Sequence, residues 1–198
     1  MLLQRAGSQL RSFDPRAVGR LECRAWETYY RRRWAEFLLA SVGLVRAAFR
    51  MSWPRTLLGA WLVLRANQKW APFPGNDPDA ARELMTRFYR LLAASEDAAF
   101  DPVRAAALEV EWWRVHREAQ HGSGEETEDL VRALSDLYGY TYSVAPMETE
   151  PAARLRAEAM VVSDRWVAAG CDPEDQMLAE ERALLVRSYA ALLAAVHR

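Results

Sequence analysis

The chain has 198 residues, is 51% hydrophobic and 27% charged, and carries a formal net charge of −1. That is enough for one domain with a real core, and it excludes a disordered chain, a collagen-like repeat and a membrane bundle. There is no isoleucine and there are 6 threonines, while Ala, Leu, Arg and Glu abound. A sheet is hard to build from that mixture, so the expectation is an all-α, single-domain helical bundle of about seven helices with a long first helix.

Residues 1–13 read as a flexible N-terminal tail, and residues 14–198 as the helical domain. Four Asp-Pro pairs punctuate the chain: Asp14-Pro15, Asp77-Pro78, Asp101-Pro102 and Asp172-Pro173. An Asp caps the free N–H groups of a first turn and the following Pro needs no N–H, so each pair predicts a helix start. The first helix is expected from Pro15 to about Arg50, on a stripe of Trp26, Tyr30, Trp34, Phe37, Ser41, Leu44 and Ala48, with a bend at Gly43. A second, from Arg55 to about Trp70, is apolar on most sides and is expected to be central. Two more follow, 78–94 and 102–120. Ser123 and Glu126 have capping-box spacing for a fifth helix ending near Gly139. Tyr138 to Pro146 is expected to be irregular. A sixth helix spans 151–169, stopped by Gly170, and the last spans 173–197.

Arg outnumbers Lys 25 to 1. A GC-rich codon bias gives the same excess, so nucleic acid is not expected as a partner. Residues 1–70 hold 13 basic and 4 acidic side chains, and residues 71–198 hold 13 basic and 23 acidic. The plain expectation is that the halves attract each other; the sharper one is an anionic partner for the first half. Cys23 and Cys171 form no metal or disulfide pattern, and the N-terminus has no apolar signal core, so a cytoplasmic protein is expected.

No nucleotide-binding, nucleophile-elbow or zinc-protease motif is present, nor the Glu-x-x-His pairs of di-iron bundles. The most informative stretch is Leu108 to Glu118. On a helix Glu111, Arg114 and Glu118 share a wet face, while Glu109 and His116 lie on another beside Trp112 and Trp113. A carboxyl and an imidazole among indoles are candidate ligand-binding groups. Glu27, Tyr30 and Tyr140 join them, Glu27 as a complement to His116 and Tyr140 from an extended row with Tyr138 and Tyr142. The plainer alternative is a set of buried polar groups satisfied by other helices.

The function expected is a binding module holding a small aromatic or apolar ligand, or a protein partner, in a Trp/Tyr-lined core, without a cofactor. The alternative is a metal-dependent oxidase-type enzyme, with iron or another divalent metal on Glu109 and His116. A third reading is a peripheral or scaffold protein using the basic first half. Arg31, Arg32 and Arg33 suit an anion site or a solvated face. The Arg46–Arg55 hairpin, with Phe49, Met51 and Trp53, suits contact with a membrane surface. Homo-oligomerisation is compatible with all three.

Overall fold

A computed structural model describes residues 9–96, 98, 100–122 and 127–198. It is all-helical, with no strand among those residues. A 3-10 turn at Gln9–Arg11 precedes eight α-helices: α1 (Pro15–Tyr30), α2 (Trp34–Phe49), α3 (Trp53–Trp70), α4 (Pro78–Glu96), α5 (Pro102–His121), α6 (Thr127–Tyr142), α7 (Pro146–Ala168) and α8 (Met177–Ala195).

Three of the Asp-Pro pairs start helices. Asp14, Asp77 and Asp101 each accept a first-turn N–H, at 2.9 Å, 3.0 Å and 3.0 Å. The fourth does not: Asp172 folds a turn by accepting from Glu174, and α8 starts later, at Met177, whose N–H donates to the Asp175 carboxylate at 2.8 Å. The proposed box at Ser123 and Glu126 lies outside the described residues.

The expected long first helix is two helices. Arg32 turns left-handed at φ 57, its N–H reaches the Tyr29 carbonyl at 3.0 Å, and the Arg33 N–H reaches Thr28 at 2.9 Å. That is the Schellman pattern, which the same bonds repeat at Gly170 and Cys171 after α7. Glycine announces the second stop; arginine hides the first. Arg32 is held in place by donating to the Ala71 carbonyl at 2.9 Å and by lying over the Tyr29 and Trp34 rings. Arg31 and Arg33 pair locally with Glu27 and Glu36.

Other expected boundaries shift for steric reasons. Helix α6 runs through Gly139 to Tyr142, because a Cβ there would meet the Val144 carbonyl at 3.0 Å and Pro146 at 3.1 Å. The glycine permits the tight α6–α7 corner and is not a helix end. Helix α7 starts at Pro146, with Pro151 inside it. The carbonyl that Pro151 leaves unbonded belongs to Met147, on an exposed first turn where water can serve it. Gly43 lies within an unbroken α2 and makes room for Leu21. The tail expectation does not extend to residues 10–13. Leu10 and Phe13 are buried, and Arg11 donates to the carbonyls of Tyr142 and Val196.

Each helix packs on the next, and α8 closes against α1, so the eight form a ring of neighbours. Helices α1 and α8 approach backbone to backbone at one point: a Cβ on Gly19 would stand 2.7 Å from the Val186 nitrogen. Helix α3 is not central. Trp53, Leu57 and Trp61 on its outer face are about half exposed, at 59%, 55% and 49%. The expected attraction of a basic half for an acidic half is not carried by ion pairs among the described residues. Among the described residues two ion pairs join the halves: an exposed Lys69–Asp77 contact at 4.0 Å, and a buried pair in which the acid, Glu22, belongs to the basic half and Arg156 to the acidic one. Most other pairs are short-range links within one helix, which discharge the local excess.

Gly19→Ala is expected to force the main chains of α1 and α8 apart and to cost about 1–3 kcal/mol, read as a lowered midpoint in urea unfolding.

Candidate ligand cavity

Eight helices, each about 10 Å across, closed into a ring leave an axial space that side chains must fill. Here they fill it incompletely. All eight helices contribute to the lining of a cavity of about 200 Å³. Aromatic and aliphatic side chains dominate its wall, among them Phe37, Phe49, Phe88, Leu92, Trp112 and Trp113. A second cavity of about 90 Å³ adjoins it and shares Trp26, Phe37, Asn67, Trp112 and Trp113 as lining.

Glu109 lines the larger cavity. Its carboxylate accepts from the Tyr89 hydroxyl at 2.7 Å and from the Trp113 indole at 3.2 Å. Burial pushes its pKa above the usual carboxylate range, opposed by the Arg156 charge and by those donors. Trp112 and Trp113 are buried and stand between the two cavities. His116 opens on the smaller one alone, with Nε2 3.1 Å from Asp164 Oδ2. Gln120 donates to Asp164 at 2.5 Å and to the Tyr30 hydroxyl at 3.0 Å, which places Tyr30 on that cavity too.

Glu109 and His116 therefore do not face one point. Seven residues are two helical turns, about 10 Å of rise, and two indoles occupy the interval. Among the described residues no group of three or more His, Cys, Asp or Glu is arranged to hold a metal ion. Glu27 and Tyr140 line neither cavity. Glu27 is held by Arg24 at 2.6 Å and Arg31 at 3.0 Å on its own side of α1. Tyr140 accepts from the Asp101 N–H at 2.9 Å and lies under the Arg104 guanidinium. The row of tyrosines is helical, not extended, so Tyr138 and Tyr142, four apart, reach the cavity and Tyr140 turns away.

The groups that organise the wall belong to no sequence motif. Arg156 of α7 pairs with Glu22 of α1, donates to the Tyr138 hydroxyl at 3.2 Å, and lies 4.8 Å from the Trp112 ring centre. Burial works against its charge, but the Glu22 carboxylate outweighs it and raises the pKa further. Tyr138 is pushed up to about 12 by burial and stays a neutral phenol. A sequence signal existed. Thr149, Ala153, Arg156, Met160 and Ser163 form one buried stripe, and Val18, Glu22 and Ala25 another. Each stripe holds one charge, and a lone buried charge implies an opposite one elsewhere.

Five residues in the cavity lining carry a buried polar atom that makes no well-formed hydrogen bond within the protein: Glu22 Oε2, Ser41 Oγ, Trp112 Nε1, Thr141 Oγ1 and Arg156 Nε. Buried polar groups are almost always paired, so these atoms leave hydrogen-bonding capacity at the cavity wall for water or a ligand. A separate buried carboxyl, Glu181, sits beside Cys23 and Ser163. Burial raises it to about 8. Burial and the neighbouring Glu181 raise the Cys23 thiol to about 12, so it is not a nucleophile.

No family model, curated protein or solved structure matches this chain.

Two outcomes are expected. Removing one member of the buried ion pair, as in Arg156→Met, costs about 3–5 kcal/mol, whereas Glu22→Leu with Arg156→Met costs less than the sum, read by a double-mutant cycle in urea. For Glu181, the folded pKa of about 8 stands above the ordinary 4.5. Its protonated form thus contributes stability that is full below about 4.5 and is lost as pH rises through about 8. Glu181→Gln removes that slope, so melting temperatures of the two proteins diverge from pH 5 to pH 8, in favour of the variant.

Proposed function

We propose that this chain is a binding module that encloses one small aromatic or apolar molecule at the axis of the helical ring. The observation that carries this reading is the cavity of about 200 Å³, apolar over most of its wall and bordered by five residues with polar atoms that make no well-formed hydrogen bond within the protein. A cavity of about 150 Å³ lined only by hydrocarbon stays dry and accepts a benzene ring. This one is somewhat larger and has a polar belt of Glu22, Glu109, Tyr138 and Arg156 on one part of its lining. The matching ligand is a one-ring or small two-ring molecule with one polar substituent. The ring packs on Phe37, Phe88 and Trp112, and the substituent meets the belt. The two free thiols suit a reducing compartment, and we place the protein in the cytoplasm on that basis. No helix among the described residues is long and apolar enough to cross a membrane.

Ser41 supplies the test. It is buried in the cavity wall, its hydroxyl is unpartnered, and a larger apolar side chain there enters the space. Melting is measured with and without indole and p-cresol. Saturating probe is expected to raise the wild-type midpoint; at roughly a hundredfold excess over Kd the gain is about 2.7 kcal/mol. Ser41→Leu is expected to melt no lower than wild type without probe and to lose the probe-dependent rise. Absence of any rise with either probe overturns the reading, as does a rise that survives in Ser41→Leu.

A further inference from the structure

Helix α3 has two faces of opposite use. Its inner side supplies Val63 and Asn67 to the cavity, while its outer side presents Trp53, Leu57, Leu58 and Trp61 to solvent. Trp53, Leu57 and Trp61 recur at four-residue steps, so they form a stripe along one side of the helix, and Arg65 continues it. Isolated exposed apolar residues are ordinary; a row with two tryptophans marks an interaction surface.

The charges around the row identify the occupant. Between Glu36 and Asp77 there is no acidic side chain, and there are five basic ones: Arg46, Arg50, Arg55, Arg65 and Lys69. All but Arg46 are exposed. The Arg46 guanidinium lies 5.1 Å from the Trp53 ring centre and that of Arg65 lies 5.8 Å from the Trp61 ring centre. The bounding acids are engaged, Glu36 by Arg24 and Arg33, and Asp77 by Lys69 at 4.0 Å. A second copy docked here about a two-fold axis would bring like charge against like charge. A surface of anionic headgroups over hydrocarbon complements both features: indoles settle at the interface, leucines dip below it, and arginines meet phosphates.

We propose that the outer face of α3, with the α2–α3 corner at Arg50–Ser52, docks this protein on an anionic membrane surface. Docking is peripheral and independent of the ligand reading, since it uses the opposite side of the helix.

The full chain is sedimented with vesicles of phosphatidylcholine alone and of phosphatidylcholine mixed with phosphatidylglycerol, at low and high salt. Binding to the mixed vesicles is expected, with a blue shift in tryptophan emission, and salt is expected to weaken it. Arg50→Ala with Arg55→Ala is expected to lower the partition coefficient by roughly tenfold. Trp53→Ser with Trp61→Ser is expected to abolish the blue shift. All four positions are exposed, and circular dichroism with the melting temperature confirms that each variant folds. Failure to bind mixed vesicles at low salt overturns the proposal, as does binding that the tryptophan pair leaves unchanged. Failure to bind together with self-association that Leu57→Glu abolishes assigns the face to a second copy instead. Failure together with capture of an acidic peptide by the same face assigns it to a protein partner.

Discussion

The pairing of Glu22 with Arg156 constrains the structure more than any other contact. Both side chains are almost wholly buried, and each is the one charge on its helix's inward stripe. Neither charge is tolerable at the axis alone, so α1 and α7 must face each other in one register for either to be buried. Tyr138 of α6 donates no spare charge but orients toward Arg156, and Trp26 and Trp112 flank the guanidinium. Four helices are thereby referenced to one side chain. A purely hydrocarbon core permits sliding; this polar point does not.

The ring is asymmetric about that pair. On one side α1, α7 and α8 pack through small residues: Gly19, Ala152, Ala153, Ala157 and Ala159. Ser188 adds a bond to the Ala152 carbonyl at 2.8 Å. Close backbones leave little space there. On the other side α2, α4 and α5 bring Phe37, Phe49, Phe88, Tyr89, Trp112 and Trp113 to the cavity wall. Rings of that size hold helices apart and tile imperfectly, so the vacant volume collects on this side. The cavity is what remains when a tight half and a bulky half share one axis. The ends are covered separately. Leu10 and Phe13 close one by packing where α6 and α8 finish. Arg32 and Arg117 secure the other by binding the carbonyls of Trp70, Ala71 and Pro72.

Helix α3 shows how one element serves both the interior and the surface. Its sequence is apolar nearly all round, which in a globular chain ordinarily means a central helix. The ring gives it two neighbours, α2 and α4, and leaves its outer side unopposed. The all-round apolar pattern thus carried two messages, one for the cavity wall and one for the exterior.

Much of the fold was legible from residue chemistry alone. Composition determined an all-α chain, Asp-Pro pairs located three helix starts, and 3.6-residue periodicity brought Glu109, Trp112 and Trp113 to an inward face. These are local facts, because capping and periodicity depend on neighbours within a turn or two. What escaped was non-local or stereochemically disguised. The stop at Arg32 uses a left-handed residue without glycine, and its hold on Ala71, 39 residues away, helps to secure it. Glu109 and His116 were grouped by helix position, but the indoles between them and Asp164 on α7 decide that they face separate cavities. The overall charge split promised two halves drawn together, yet the buried pair runs with the opposite sign. Sequence determines which residues share a face, since that follows from the backbone period. Which faces meet, and where they fail to meet, is set by the volumes and charges of all eight helices together, and only tertiary packing decides it.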